Sequence, residues 1–235
     1  MQGRQKTAVY DAGVAAASGF FITFEGLDGC GKSTQLEKLA DALRRQGRQV
    51  VVTREPGGTA IGDRIRAILL DSATVKLAPH AELALMFASR AQHIEEVIQP
   101  ALAKGKVVLC DRFTDSSEAY QGGGRKLSSN AVLELHKILC RGLQPDLTIL
   151  MDSDVAESVA RARRRNAATL SASDEGRFER ENREFFERVR RTYLQIARRD
   201  AQRVVVVNAR EPIEAVHREI VTAVRKKMSH ALASV

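Results

Sequence analysis

The chain has 235 residues, 37 lysines and arginines against 29 aspartates and glutamates, a net charge of +8, and 44% hydrophobic residues. That length and composition suit one compact domain with its own core, and they exclude a collagen-like, wholly disordered or disulfide-scaffold protein. The basic excess points to a phosphate-bearing partner, small or polymeric, and its placement decides between them. Residues 161–203 hold 13 arginines, no lysine and seven acids, whereas residues 19–160 carry a net −1.

Residues 1–18 are small and polar and read as a disordered leader. Arg4 and Lys6 imitate the start of a signal peptide, but the uncharged run at 12–24 is too short to span a bilayer and flows into a motif that works in the cytosol. Cys30, Cys110 and Cys140 form no C-x-x-C pair and no metal spacing with the five histidines, which fits a reducing, cytoplasmic compartment. From Phe20 strands and helices alternate. Residues 20–25 form an apolar strand, and Leu36, Leu39, Ala40 and Leu43 then recur at helical spacing as far as Gly47. A second strand covers 50–53, followed by a loop with Pro56, Gly57 and Gly58 and a helix bearing Ile61, Ile65 and Ile68 on one face. A long helix over 80–103 leads to a third strand at 106–110, a glycine-rich segment, a helix over 130–140 and a fourth strand at 147–151. Residues 154–200 are helical with a break around 167–176, and a strand at 204–207 precedes a last amphipathic helix. Five strands separated by helices predict an α/β, three-layer fold with a parallel sheet covered on both faces. The domain spans 19–228, with a tail at 229–235.

Gly26-Leu27-Asp28-Gly29-Cys30-Gly31-Lys32-Ser33 satisfies G-x-x-x-x-G-K-[ST] between a strand and a helix. Glycines let successive backbone N–H groups face a phosphate, the lysine reaches the β- and γ-phosphates, and the Ser33 hydroxyl binds Mg²⁺. The N-terminus of the following helix adds its dipole. ATP or GTP binding follows, in a P-loop NTPase fold. Cys30 reads as a small filler within the loop.

Three segments separate the kinds of P-loop protein. Phe24 to Thr34, then Thr53-Arg54-Glu55-Pro56-Gly57-Gly58-Thr59, then Asp111-Arg112-Phe113 running to Tyr120-Gln121-Gly122-Gly123-Gly124-Arg125, closely resemble thymidylate kinases of the bacterial type, in that family's order and spacing, over about residues 19–225. The resemblance implies a nucleoside monophosphate kinase fold with a helical lid at about 161–177. It also implies transfer of the ATP γ-phosphoryl to dTMP with Mg²⁺, and a homodimer. The acceptor phosphate, with a second pKa near 6, is already a nucleophile at neutral pH. Asp28 is therefore an orienting or sugar-contacting carboxylate and not a base.

The same resemblance assigns the remaining site residues. Gly26 to Thr34 hold the nucleotide phosphates. Arg112 and Arg66 reach the dTMP phosphate, where a guanidinium fork suits two oxygens at once. Asp111 lies near Mg²⁺ with Ser33, and Glu55 lies near the nucleotide. Arg90 bonds a thymine carbonyl while an aromatic side chain stacks on the ring. The usual position, four residues before Arg90, holds Met86, and the aromatic Phe87 lies three before; both positions share a helix face with Arg90, so either side chain can cover the ring, with Phe87 the favoured one. Ser117, Tyr120 and Gln121 read the base and exclude a ribose hydroxyl.

The family places a catalytic arginine either in the phosphate loop or on the lid. The loop position here is Gly29, which turns attention to Arg161, Arg163 and Arg165, without deciding which of them meets the transferred group. The implied catalytic set is Lys32, Asp28, Arg112, Arg161 and Arg165. Arg188, Arg190, Arg191, Arg198 and Arg199 read as a solvated face with intrahelical pairs such as Glu187 with Arg191. A nucleic-acid-binding ATPase would need stacking aromatics among these arginines. Phe178, Phe185, Phe186 and Tyr193 have the spacing of a helix core instead, so neither nucleic acid nor membrane is expected as a partner.

Overall fold

The computed structural model describes residues 19–74, 76–168 and 176–233. The leader at 1–18 and the middle of the lid at 169–175 lie outside the described residues. Strands β1 (Phe20–Glu25), β2 (Val50–Arg54), β3 (Val107–Asp111), β4 (Leu147–Asp152) and β5 (Val204–Asn208) pair in parallel in the order β2-β3-β1-β4-β5. Helices α1 (Lys32–Arg45), α2 (Ala60–Leu70), α3 (Pro79–His93), α4 (Gln99–Ala103), α5 (Thr114–Ser117), α6 (Ser129–Leu139), α7 (Val155–Ala168), α8 (Arg183–Arg199) and α9 (Ile213–Ala233) connect them. The alternation read from the sequence is present to within a residue or two at most ends. Helix α9 continues through the 229–233 stretch that the sequence marks as a tail.

β1 is the middle strand and is buried along its whole length. Phe20, Ile22 and Phe24 project to one face, packing with Leu36, Leu39 and Leu43 of α1 and Val216, Ile220 and Val224 of α9. Phe21 projects to the other face, against Phe87, Val108 and Phe113. Each fully buried large apolar side chain contributes about 1.5–3 kcal/mol. Because β1 and β3 pair in register, Phe24 opposite Asp111, the loop after β1 and the turn after β3 emerge side by side at the carboxyl edge of the sheet. That is the edge at which open α/β sheets bind ligands.

Two segments depart from the sequence expectation. The long helix breaks into a wider π turn at Ile94–Ile98, which accommodates Pro100, a residue whose ring clashes with the preceding turn of a regular α-helix. The glycine-rich segment is also helical: α5 runs into a π-helical stretch, Glu118–Gly124. Helix α8 lies directly on it. A Cβ on Gly123 would stand 2.0 Å from Thr192 Oγ1, so the glycines there serve close helix–helix approach and not a turn.

The basic excess of 161–203 is largely tied into the fold. Arg190 grips Asp152 with two bonds of 2.7 Å, Arg199 grips Glu118 at 2.6 and 2.9 Å, and Arg203 grips Asp115 at 2.8 and 3.0 Å. Arg188 donates to the carbonyl of Gly124. Glu187 pairs with Arg183, not with Arg191. The expected solvated face is thus corrected for Arg188, Arg190 and Arg199: each reaches across to another element, because its planar fork matches a carboxylate or carbonyl there. The lid exit is anchored in the same way. The fully buried Glu82 of α3 accepts from Gln121, Arg125 and Arg177, and Arg125 also reaches Glu181.

His136 of α6 supports the start of α5. Its Nδ1 shares a 2.9 Å hydrogen bond with Thr114 Oγ1, and its ring meets Phe113 edge-on at 6.1 Å. Burial, with the Arg90 charge adding to it, pushes the imidazole down to about 4.

Gly123→Ala is expected to force α8 off its seat and to cost about 1–3 kcal/mol; an unchanged urea midpoint would contradict that packing. His136 is neutral in the native fold and protonates near its ordinary pKa of about 6.5 when unfolded. The stability it contributes is therefore complete above about pH 6.5 and is lost as pH falls to about 4, up to about 3 kcal/mol in all. Unfolding measured across that range should be flatter for His136→Gln than for the parent, and parallel curves would refute the assignment.

Candidate active site

The loop from Gly26 to Gly31 turns β1 into α1, with Gly31 in the left-handed region immediately before the helix. Lys32 is buried, and its Nζ donates to the carbonyls of Gly26 and Leu27 at 3.2 and 2.9 Å, 4.0 Å from Asp28 Oδ1. Ser33 and Thr34 open onto the surface. Ser33 Oγ donates to Asp111 Oδ2 at 3.1 Å, which joins the loop to the end of β3. Cys30 packs inward with the sheet core, and burial pushes its thiol up. Gly29 lies beneath α7, against Ser158 and beside Arg161.

Arg112 adopts a left-handed backbone, φ 73°, uncommon for a residue with a side chain. The surroundings hold it there. Nη1 donates to Gly26 O at 2.9 Å, Ser116 Oγ at 3.0 Å and the Tyr193 hydroxyl at 3.2 Å. Nη2 donates to Asp28 Oδ1 at 2.7 Å, and the guanidinium lies over the Tyr120 ring at 5.1 Å. Burial alone would raise the Asp28 carboxyl, but the charges of Arg112 and Lys32 outweigh it and hold the group well below the usual carboxylate range. Beneath them Glu25 accepts from the Phe113 N–H at 2.7 Å, Ser116 Oγ at 2.6 Å and Tyr193 OH at 2.9 Å. Burial and the neighbouring Asp115 push Glu25 up to about 7 against the pull of Arg112.

A cleft opens beside this pair, walled by Asp28, Glu55, Arg66, Met86, Arg90, Arg112, Ser116, Ser117, Tyr120 and Gln121, with Arg165, Asn166, Phe178 and Glu179 from the lid side. Arg90 crosses its floor. Nε donates to Glu55 Oε2 at 2.6 Å, and Nη2 donates to Phe113 O at 3.1 Å and Ser117 Oγ at 3.0 Å. The rings of Phe87 and Phe113 flank it at 4.8 and 5.3 Å. Nη1 is buried and has no protein partner. A guanidinium carries five N–H donors, and this one, on a residue that lines the cleft, is left with one donor group unused.

Of the residues expected on the acceptor side all but Phe87 meet around this cleft, joined by Arg165 from the lid, while of the phosphate loop only Asp28 lines it and Ser33 and Asp111 lie outside its walls. Phe87 is fully buried in the core beneath Arg90, and the side chain on the cleft wall is Met86. One helix residue rotates a side chain by about 100°, so the neighbour at the fourth position faces the cleft while the third faces the sheet. Arg163 turns away to the backbone carbonyls of Glu179 and Glu181. Arg161 is exposed on α7, and of the three candidates Arg165 alone lines the cleft. Glu55 is buried, its carboxylate engaged by Arg90 and by His93 Nδ1 at 2.9 Å. Arg66 donates to Pro56 O at 3.0 Å, and Gln121 donates to Glu82.

Sequence reasoning missed Glu25, Ser116, Tyr193 and Phe178. Tyr193 sits 81 residues from Arg112 in a helix whose spacing reads only as core, so no local signal marks it. Among the described residues one group of metal-ligating side chains converges, Glu55, His93 and Cys110, with ligand atoms within 4.8 Å of one another. Each is already bonded: Glu55 to Arg90 and His93, His93 Nε2 to Thr53 Oγ1 at 2.6 Å, and Cys110 Sγ to Arg112 O at 3.0 Å. With the Arg90 cation beside it, the group is a hydrogen-bond relay and not a cation site.

The model of the thymidylate kinase family matches residues 24–220. The thymidylate kinase of Geobacter sulfurreducens is 54% identical over 164 residues, 70% of this chain and 76% of that one. That of Trichlorobacter lovleyi is 51% identical over 165 residues, 70% and 77% of the two chains. The crystal structure of thymidylate kinase from Ehrlichia chaffeensis superposes with a TM-score of 0.71 at 32% identity, covering 88% of this chain and 99% of that one. A phosphate loop packed against an Asp-Arg strand end, carried on the same sheet and matched along nearly its whole length, leaves one assignment: the chain belongs to the thymidylate kinase family.

Proposed function

We propose that ATP, with Mg²⁺, is the donor in the dTMP phosphorylation that membership of this family gives the chain, a step toward dTTP. The observation that carries the acceptor's identity is Arg90, which lines the cleft and whose buried Nη1 has no protein partner. Leaving such a donor unsatisfied costs about 1–3 kcal/mol, and a pyrimidine with a carbonyl at that place satisfies it. Thymine presents that carbonyl, whereas cytosine presents an amino group, donor against donor. Met86 covers the ring in place of Phe87, with Tyr120 beside the deoxyribose and Ser117 and Gln121 completing the wall.

Phosphoryl transfer is chiefly positioning and neutralisation of charge. Nucleotide phosphates on the Gly26–Thr34 loop take the place of the Gly26 and Leu27 carbonyls as acceptors for Lys32 Nζ, and the start of α1 adds its dipole. Arg112, with Arg66, takes the dTMP phosphate, whose own charge makes it the nucleophile. No side chain has to accept a proton, and Asp28, held ionised by Arg112 and Lys32, orients those two cations. Ser33 Oγ and Asp111 Oδ2, 3.1 Å apart, are two adjacent oxygen donors that would hold an Mg²⁺ ion, a cation that takes oxygen ligands. A bound Mg²⁺ would neutralise phosphate charge there. Arg165 closes the cleft from the lid side, with Arg161 and Arg163 on the same helix.

Residues 19–228 form the catalytic domain in this reading. The exposed Ile138 and Leu139 on α6 support a homodimer formed through helices, and three buried, unpaired thiols favour the reducing cytoplasm. A coupled ADP-release assay with dTMP, dUMP, dCMP, dGMP, CMP and UMP should give the highest kcat/KM for dTMP, with dCMP lower by about 100-fold or more. Equal turnover of dCMP would end the acceptor reading. Light scattering should give a mass near twice the 25.9 kDa of the chain, and a monomer at assay concentration would end the dimer reading.

A further inference from the structure

His93, the last residue of α3, is fully buried, yet both ring nitrogens are used. Nδ1 lies 2.9 Å from Glu55 Oε1, and Nε2 lies 2.6 Å from Thr53 Oγ1. The ionised Glu55 can only accept, so Nδ1 carries the hydrogen. Burial alone would raise Glu55, and the Arg90 charge together with the His93 bond keeps it lowered and ionised. The other carboxylate oxygen receives Arg90 Nε at 2.6 Å. Arg90 and His93 stand three apart on one helix face, so a single carboxylate from the Glu55 loop bridges them.

The Pro56-Gly57-Gly58 loop is shaped for this arrangement. A Cβ at Gly58 would lie 2.7 Å from His93 Nε2, and the backbone there has φ 80°. The loop that resembles the family motif therefore makes room for an imidazole which itself touches no part of the cleft.

We propose that His93, backed by Thr53, is a positioning residue for base recognition: by holding Glu55 Oε1 it fixes the carboxylate that holds the Arg90 guanidinium in place at the cleft wall. The terminal torsion of a glutamate is broad and two-fold. A carboxylate bonded at one oxygen only swings about that torsion, and the guanidinium follows. Sites of this kind need their groups held to within about 0.5 Å. The relay Thr53–His93–Glu55–Arg90 runs from the sheet edge to the base and does not touch the phosphate loop, so its failure belongs to dTMP binding alone. This inference rests on the reading of Arg90 as the base-contacting residue.

The test is a steady-state series with separate KM values for dTMP and ATP. His93→Leu should raise the dTMP KM about 10-fold and leave the ATP KM within about 2-fold. His93→Asn, whose amide nitrogen overlays Nδ1, should recover most of that loss. Thr53→Val should give a smaller shift in the same direction. In an Arg90→Met background His93→Leu should add nothing further. Equal loss for both substrates, or full additivity with Arg90→Met, would overturn the proposal and leave His93 a structural core residue. Should His93→Leu fail to fold, His93→Asn and Thr53→Val decide, and a dTMP KM unchanged in Thr53→Val with an ATP KM that rises in His93→Asn would equally overturn it. If Arg90→Met itself leaves the dTMP KM unaltered, the base-recognition reading fails; if Arg90→Met raises it and His93→Leu does not, only the role of His93 fails.

Discussion

The in-register parallel pairing of β1 with β3 is the constraint on which the site depends. It brings Phe24 and Glu25 level with Asp111 and Arg112, so that one guanidinium reaches Asp28, the Gly26 carbonyl, Ser116 and Tyr193 at once. A strand slipped by one residue would reverse every side chain across the sheet. Phe24 would then leave the α1 and α9 core, and the Asp-Arg pair would no longer face the phosphate loop. Burial of Phe20, Ile22 and Phe24 on one face and Phe21 on the other therefore sets the register, and the register sets the charge geometry.

The charge geometry differs in kind from the charge count. The arginine-rich segment holds most of the net +8, and its side chains suggest a mobile clamp for polyphosphate. In the fold, Arg190, Arg199 and Arg203 close bidentate pairs with Asp152, Glu118 and Asp115, acids that belong to the nearly neutral first part of the chain. Cations of the basic segment are thus paired in space with acids from another part of the chain. Arg165 remains beside the cleft, and Arg177 and Arg125 secure the lid exit on the buried Glu82. Glu82 is held at two ends of the same function: Gln121, which walls the cleft, and Arg177, next to Phe178, which also walls it. Removing such a carboxylate strands two cations, the costly way to break a buried pair.

Much of the site was legible because its chemistry is local. The phosphate loop needs glycines, Lys32 and Ser33 in one short run between a strand and a helix, and the Asp-Arg pair follows its strand directly. Where the reading failed, the deciding contact came from far along the chain. Gly122 to Gly124 read only as a glycine-rich segment with no element assigned, yet α8 presses on them and makes small side chains a packing requirement. Met86 and Phe87 are neighbours on one helix, and their exchange of roles depends on how α3 rotates against the sheet. Tyr193 and His93 read as a core aromatic and a scattered histidine, since no motif surrounds either.

Residue order by itself determined the alternation of strands and helices, the phosphate loop and the family motifs, because hydrophobic period, glycine placement and short-range spacing carry those directly. Only the tertiary structure decided which arginines line the cleft, which side chain covers it, and how Arg90 keeps one donor in reserve. Those outcomes turn on a few ångströms between groups tens of residues apart, where a carboxylate, a carbonyl or a ring either meets the guanidinium or leaves it for the substrate.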